Sequence, residues 1–116
     1  PIAISGDKAL MLAGRVVTSV ALILHELATN SVKYGGLGHA EGALRIAVEH
    51  AGDDRGSARL LWVEERPGLE EVRTASGFGT RLVERSVAHI GGTLSRRVAT
   101  GRLEIELVLP IVIDRI

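Results

Sequence analysis

A long helical segment near the start of the chain is the feature that most constrains its fold. Apolar residues recur at spacings of three and four from about Arg15 to Tyr34, which predicts an amphipathic helix. Gly35-Gly36 follows at once and predicts a helix end at which a glycine adopts the left-handed conformation. The apolar stripe expected to face the core consists of Val17, Ala21, Leu24, Ala28 and Val32.

Strand patterns joined as hairpins dominate the rest of the chain. Apolar and polar residues alternate in several short runs, and turn-forming residues separate these runs. Because hairpins join neighbouring strands, most of the sheet is expected to be antiparallel. The predicted strands are 2–5, 43–49, 58–64, 93–98 and 103–109, the last closed by Pro110.

A second helix is predicted over residues 80–90, with Gly91-Gly92 at its end. Residues 65–77 are polar and without period, so they are expected to form a loop. The order of elements predicts an α+β fold, a two-layer sandwich with a mixed, mainly antiparallel sheet and helices on one face. The residues of the second helix expected to face inward are Leu82, Val83, Val87 and Ile90.

Composition excludes several functional classes. The 116 residues suit a single domain, 1–116, and the absence of cysteine excludes zinc fingers, disulfide frameworks and thiol nucleophiles. Fourteen basic and 14 acidic residues give no net charge, which argues against a dedicated nucleic-acid binder. No signal peptide or membrane-spanning stretch is present, so a cytoplasmic domain without membrane contact is expected. The start at Pro1 suggests a domain excised from a longer protein.

The predicted first helix carries a polar face that could hold a metal and phosphates. At 100° per residue, Glu26, Asn30 and Lys33 lie at about 0°, 40° and −20°. A carboxylate, an amide and an ammonium group on one face could hold hydrated Mg²⁺ and a phosphate chain. On spacing alone, a solvated helix face explains the same pattern.

A glycine-containing loop before the second helix is the second candidate. Gly77 and Gly79 would let backbone amides approach an anion, and Thr80 could cap the helix or contact phosphate. The pattern is neither the dinucleotide fingerprint, since Leu82 replaces the third glycine, nor a P-loop. An ordinary loop remains an alternative.

Glu64 is the third candidate, because it stands at the end of a predicted strand that runs into a Pro/Gly loop. Its carboxylate could accept a hydrogen bond from an adenine amino group. The alternative is a strand-terminal acid in solvent.

Together, the three segments resemble the Bergerat-fold ATPases, the superfamily that includes gyrase, mismatch-repair ATPases and histidine kinases. Residues 25–34, His-Glu-Leu-Ala-Thr-Asn-Ser-Val-Lys-Tyr, resemble its N-box, and residues 77–82, Gly-Phe-Gly-Thr-Arg-Leu, resemble its second glycine box. Within it, the chain is most similar to the HWE histidine kinases. Their signature is matched by His25, Trp62 and Glu64.

This resemblance implies a role for each matching residue. Asn30 is implied to ligate Mg²⁺, and Glu26 to be the catalytic acid that polarises or deprotonates the attacking group. Glu64 is implied to bind the adenine amino group. Gly77 to Leu82 are implied to surround the phosphates. The complete set of implied ATP-binding residues is Asn30, Lys33, Tyr34, Glu64, Gly68, Gly77, Phe78, Gly79, Thr80, Arg81 and Leu82.

The first glycine box departs from the family pattern. The HWE form is W-x-E-x-G-G-P, whereas this chain has Arg66 in place of the first glycine and keeps only Gly68. This puts the backbone path of the adenine pocket, and with it the affinity for ATP, in question. The lid, residues 69–76, is short, which suits the HWE group.

The implied function is the ATP-binding catalytic domain of a two-component sensor histidine kinase, with ATP and Mg²⁺ as cofactors. Its implied partners are its own histidine-containing dimerisation domain, expected before Pro1, and a response regulator. His25, His39, His50 and His89 are expected to be structural or surface residues. Two alternatives stay open: a degenerate Bergerat-like interaction domain, and a serine kinase of the anti-sigma type.

Overall fold

A computed structural model describes residues 2–6, 11–12, 14–51, 54–70 and 80–112 of the chain. The elements that lie wholly within these residues include six strands and two α-helices. In chain order they are β1 (Ile2–Gly6), β2 (Met11–Leu12), α1 (Gly14–Tyr34), β3 (Ala43–Ala51), β4 (Asp54–Glu65), α2 (Thr80–His89), β5 (Thr93–Ala99) and β6 (Arg102–Val112).

The strands form one mixed sheet in the order β1-β3-β4-β6, and both β5 and β2 also pair with β6. Only the β1–β3 pair is parallel among the described strands, so the predicted antiparallel character is confirmed. In the centre of the sheet, Glu64 lies between Leu44 of β3 and Leu103 of β6.

Both helices pack on one face of the sheet, which confirms the predicted two-layer arrangement. Alternate residues of β4 and β6 point towards the helices and contribute to a single aliphatic core around Trp62. No helix among the described residues is long and apolar enough to span a membrane. The buried core residues are Val20, Ile23, Leu27, Leu44, Leu60, Trp62, Leu69, Val83, Val87, Ile90, Leu103, Ile105, Leu107 and Leu109.

The buried side of α1 differs from the predicted stripe. Val17 and Val32 are 49% and 58% exposed, and Ala21 is exposed as well. Leu24 and Ala28 are partly buried and pack against the core, so the prediction is correct for these two residues. It is wrong for Val17, Ala21 and Val32, because apolar residues surround most of this helix and their spacing does not select one side. The buried residues lie about 100° round the helix from the predicted stripe. They are Val20, Ile23, Leu27 and Ser31.

Three further predictions about individual residues were wrong. Leu82 is 53% exposed, whereas the other inward-facing residues predicted for α2 are buried. β6 does not stop at Pro110 but continues to Val112, where it pairs with β2, a strand too short to give an alternating pattern. Leu69 and Glu70 are helical, and Leu69 is fully buried, although both belong to the segment predicted as a polar loop. A single apolar residue in such a segment gives no periodic signal.

Candidate functional site

The centre of the candidate site is the carboxylate of Glu64, at the end of β4. Its side chain is 0% exposed. Oε1 accepts a hydrogen bond from the backbone N–H of Gly36 at 3.0 Å, and Oε2 accepts one from Trp62 Nε1 at 2.7 Å. Because residues two apart on a strand share a face, the Trp-x-Glu spacing places indole and carboxylate side by side. The solvent-exposed alternative for this acid is therefore wrong.

Burial of the Glu64 carboxylate is tolerable only because donors replace its water. An unpaired buried carboxylate costs far more free energy than a neutral polar group. A hydrogen bond to a charged group contributes about 1.5–3 kcal/mol. The donors from Trp62 and Gly36 therefore stabilise the acid and also fix its position.

The backbone around Gly36 can reach Glu64 because residues 36 and 42 have no side chains. A Cβ on Gly36 would lie 2.3 Å from the carbonyl oxygen of Ala43, and one on Gly42 would lie 1.8 Å from that of Gly36. Gly35 has φ −120°, and neither it nor Gly36 adopts positive φ. The predicted left-handed end of α1 is therefore wrong. Glycine is required there for close approach between backbone segments.

Ser31 supports the same turn from inside the core. It is fully buried, and its Oγ accepts a hydrogen bond from the backbone N–H of Leu37 at 3.1 Å. That bond ties the short 3-10 turn Gly36–Gly38 to the last turn of α1. The end of α1 and the end of β4 are thus joined by side chains from both elements.

The polar face of α1 projects from the same end of the helix. Glu26 and Asn30 are partly buried, whereas Lys33 and Tyr34 are exposed. Within the described part of the chain, neither the Glu26 carboxylate nor the Asn30 amide makes a hydrogen bond or ion pair. Carboxylate and amide oxygens one turn apart are the hard ligands that Mg²⁺ prefers, so these residues fit a magnesium ion. The exposed His25 lies beside this face.

After β4 the chain turns through Arg66-Pro67-Gly68-Leu69. The N–H of Leu69 donates to the carbonyl of Arg66 at 3.3 Å, and Gly68 has φ +72°. Proline followed by a glycine of positive φ is typical of a type II turn. Arg66 does not have positive φ, so its position tolerates a side chain where the family pattern has glycine.

The β5–β6 turn binds this segment through both backbone groups of Gly101, its carbonyl and its N–H. The Gly101 carbonyl accepts from the N–H of Arg66 at 3.0 Å, and its own N–H donates to Glu70 Oε2 at 2.6 Å. The N–H of Gly101 lowers the pKa of the Glu70 carboxyl below its usual 4.5. The start of the proposed lid is therefore fixed to the sheet.

The second glycine box lies mostly outside the described residues. Gly77, Phe78 and Gly79 are outside them, as are residues 71–76 of the proposed lid. Thr80 is the first residue of α2, as predicted, and Arg81 follows it. Their side chains are also outside the described part of the chain, whereas the side chain of Leu82 is exposed.

The opposite face of the sheet carries a contrasting set of charges. Glu65, the neighbour of Glu64, points to this exposed face and forms ion pairs with Arg45 at 3.0 Å and Arg102 at 3.6 Å. Arg102 also pairs with Glu104 at 2.7 Å. Exposed pairs of this kind contribute about 0–1 kcal/mol each.

The backbone N–H of Gly36 is the part of the site that the sequence did not predict. A main-chain donor has no residue-type signal of its own. The closely spaced Gly35, Gly36, Gly38 and Gly42 are the one available indication that backbone segments pass close together there. The sequence did single out Glu64 by its place at a strand end and Trp62 by the family signature, although without their mutual hydrogen bond.

Sequence comparison relates the chain to a segment of longer kinases. It is 36% identical over 110 residues to a blue-light-activated histidine kinase of Erythrobacter litoralis, covering 92% of this chain and 29% of that protein. A blue-light-activated histidine kinase of Brucella anthropi is 39% identical over 77 residues, covering 64% of this chain and 15% of the relative. The chain thus spans less than a third of these relatives. No protein-family model matches the chain.

Solved structures share the fold. The Erythrobacter litoralis blue-light-activated histidine kinase superposes with a TM-score of 0.74 at 16% identity, covering 95% of this chain and 35% of that one. A mycobacterial sensor histidine kinase, MprB, gives a TM-score of 0.69 at 16% identity, covering 97% and 84%. The catalytic domain of the histidine kinase ThkA gives 0.68 at 17% identity, covering 97% and 80%.

Proposed function

Because the chain belongs to the histidine kinase catalytic domains of the Bergerat ATPase superfamily, we propose that it binds Mg-ATP between α1 and the end of β4. It donates the γ-phosphoryl group to a histidine on a dimerisation domain. The observation that carries this proposal is the hydrogen bond from the Gly36 N–H to Glu64. It joins the end of the predicted N-box helix to the carboxylate that is proposed to bind adenine. The Trp-x-Glu motif favours the HWE type.

In the part of the site that binds the adenine base, the Glu64 carboxylate accepts a hydrogen bond from the adenine amino group. Two donors already fix the carboxylate, so little rotational freedom is lost when a ligand binds. A hydrogen bond formed in this buried environment is stronger than one formed in water. This arrangement favours adenine over bases without an amino group at that position.

At the phosphate end of the nucleotide, side chains on the polar face of α1 bind the metal and the phosphates. The Asn30 amide oxygen holds Mg²⁺, which when bound neutralises charge on the phosphates. Exposed Lys33 and Tyr34 can turn towards the phosphate chain. Glu26 orients the attacking imidazole and accepts its proton. Catalysis of this type depends mainly on positioning and charge stabilisation.

The remaining assignments follow the family pattern. Gly68 and the second glycine box, residues 77–82, surround the phosphates, with the N-terminus of α2 adding backbone donors. Arg66, which replaces the first glycine of the family pattern, is the residue that favours the alternative of a degenerate domain. Its backbone needs no positive φ, so this replacement does not disfavour a nucleotide pocket.

The proposed partners are a histidine-containing dimerisation domain of the same protein and a response regulator. The longer relatives are named as histidine kinases, which supports this assignment. Phosphohistidine is labile to acid and phosphoserine is not. Acid treatment of the phosphorylated product therefore separates this function from that of a serine kinase.

Calorimetric titration with ATP and with ADP, in the presence and absence of Mg²⁺, tests the proposed function. The wild-type chain should bind both nucleotides and should barely phosphorylate itself. Asn30→Ala should abolish the Mg²⁺-dependent part of binding and leave the fold intact. Val32→Ala, an exposed site two residues away on the opposite side of α1, is the matched control and should bind like wild type.

Two outcomes would contradict these assignments. No binding by the wild-type chain with Mg²⁺ present rejects nucleotide binding altogether. Equal affinity in wild type and Asn30→Ala rejects the metal role of Asn30 but leaves nucleotide binding standing.

A further inference from the structure

We propose that Trp62 is a positioning residue for base recognition: its indole N–H orients the Glu64 carboxylate towards the amino group of adenine. The inference rests on the proposed function, since it assigns a specificity role within the same site. The observation behind it is the 2.7 Å hydrogen bond from Trp62 Nε1 to Glu64 Oε2, between two buried side chains.

The length of the glutamate side chain explains why such a donor is needed. The side chain of glutamate has one more rotatable bond than that of aspartate. A longer side chain reaches further but has more rotamers to select from. The indole N–H, held in the core by its own packing, selects one of them.

The second oxygen is fixed from another direction. Gly36 donates its backbone N–H to Oε1 at 3.0 Å, so the two oxygens are held by different elements, β4 and the turn after α1. With both oxygens anchored, the plane of the carboxylate is defined. The directions of the carboxylate lone pairs, and hence the angle at which an amino group can approach, follow from that plane.

The burial of Glu64 makes the orientation of its carboxylate more important for binding. Because Glu64 is 0% exposed, a base amino group reaches it only by displacing the atoms that cover it. Water then cannot compensate for a poorly aligned hydrogen bond. A misoriented carboxylate would therefore lose discrimination between bases rather than overall affinity for the diphosphate.

The test is a comparison of ADP with purine riboside 5′-diphosphate, which has the same ring and phosphates but no amino group. Calorimetric dissociation constants are measured for wild type and Trp62→Phe, with Mg²⁺ present. Wild type should prefer ADP roughly 10- to 100-fold, the range expected for a hydrogen bond to a charged acceptor. In Trp62→Phe, ADP binding should weaken at least about fivefold, and binding of the analogue should stay within about twofold of wild type.

A second variant covers the possibility that phenylalanine leaves a destabilising cavity. Trp62→benzothienylalanine replaces the indole N–H by sulfur and keeps the shape of the ring. It can be incorporated uniformly because Trp62 is the sole tryptophan of the chain. This variant should show the same loss of preference for ADP as Trp62→Phe. Glu64→Gln, which alters the acceptor itself, should reduce the preference further.

The outcomes separate the inference from the function on which it rests. Equal weakening of both ligands, or an unchanged preference in both Trp62 variants, would mean that Trp62 only packs in the core, and would overturn the inference. A wild-type chain that binds both ligands equally would overturn it too, while leaving nucleotide binding intact. A wild-type chain that binds neither ligand would overturn the proposed function as well.

Discussion

Both helices are followed by a Gly-Gly pair, but the two pairs are needed for different reasons. At the end of α2, Gly91 has φ +78°, and the N–H groups of Gly91 and Gly92 donate to the carbonyls of Ala88 and Val87 at 3.1 and 2.9 Å. This is the Schellman arrangement that commonly ends helices. At the end of α1, neither glycine has positive φ.

The α1 pair instead permits close packing and provides a donor. Gly36 lies against the backbone of Ala43, and its N–H donates to the buried Glu64. One Gly-Gly pair therefore ends a helix, and the other belongs to the candidate site. The same dipeptide can thus have either role, and the contacts of its N–H groups distinguish the two.

Gly36→Ala should have the largest effect on stability. Its Cβ would overlap the Ala43 carbonyl oxygen, 2.3 Å away, so one backbone segment must move and weaken the bond to Glu64. We expect a loss of about 3 kcal/mol, the upper range for overpacking. Urea unfolding followed by circular dichroism measures it.

Gly91→Ala is the matched control. A Cβ there meets no atom within 4 Å, so the cost comes from positive φ alone. We expect a loss of about 1 kcal/mol for a left-handed alanine. Equal losses in the two variants would show that the α1 pair has no special packing requirement.

Glu64→Gln should have the next largest effect on the free energy of unfolding. An amide keeps one acceptor oxygen but directs an NH₂ group at one of the two donors, Trp62 Nε1 or Gly36 N. Leaving a buried donor unpaired costs about 2 kcal/mol. The same substitution at Glu65, on the exposed face, removes only surface ion pairs and should cost less than about 1 kcal/mol. Similar values for both variants would contradict the account of the buried carboxylate.

We expect the smallest effect at Glu70, whose partly buried carboxylate accepts a hydrogen bond from the N–H of Gly101. Because this hydrogen bond lowers the pKa of Glu70 in the folded protein, its stabilisation is complete above pH 4.5 and is lost as the pH falls through the lowered value. Glu70→Gln should therefore make the decline in unfolding free energy below pH 4.5 shallower. A decline as steep as in wild type would reject this role.

Much of the fold follows from local pattern. The boundaries of α1 and α2 and the hairpin strands agree with the alternation and glycine positions in the sequence. The buried side of α1 was not predicted correctly from the sequence, because Val17 and Val32 are as apolar as the residues that the sheet covers. Which side is buried depends on contacts with distant strands, and the helix sequence alone does not contain them.

The candidate site was predictable to a similar degree. Residue type and spacing singled out Glu64 and Asn30 as candidates, and the prediction that Glu64 lies at the end of a strand is confirmed. Its burial and the donor from Gly36 could not be predicted, because they depend on a contact between a backbone N–H and a side chain 28 positions apart in the sequence. The roles of Glu26, Asn30 and Lys33 in binding stay predictions.

Binding of the nucleotide at Glu64 is tested with the indole N–H of Trp62 as a reporter in ¹H–¹⁵N NMR spectra. Because the chain has one tryptophan, its indole gives one signal. During titration with Mg-ADP, this signal should shift and saturate together with the backbone signal of Gly36, since both N–H groups donate to Glu64. If other signals saturate while these two stay unchanged, the nucleotide binds away from Glu64 and the account is contradicted.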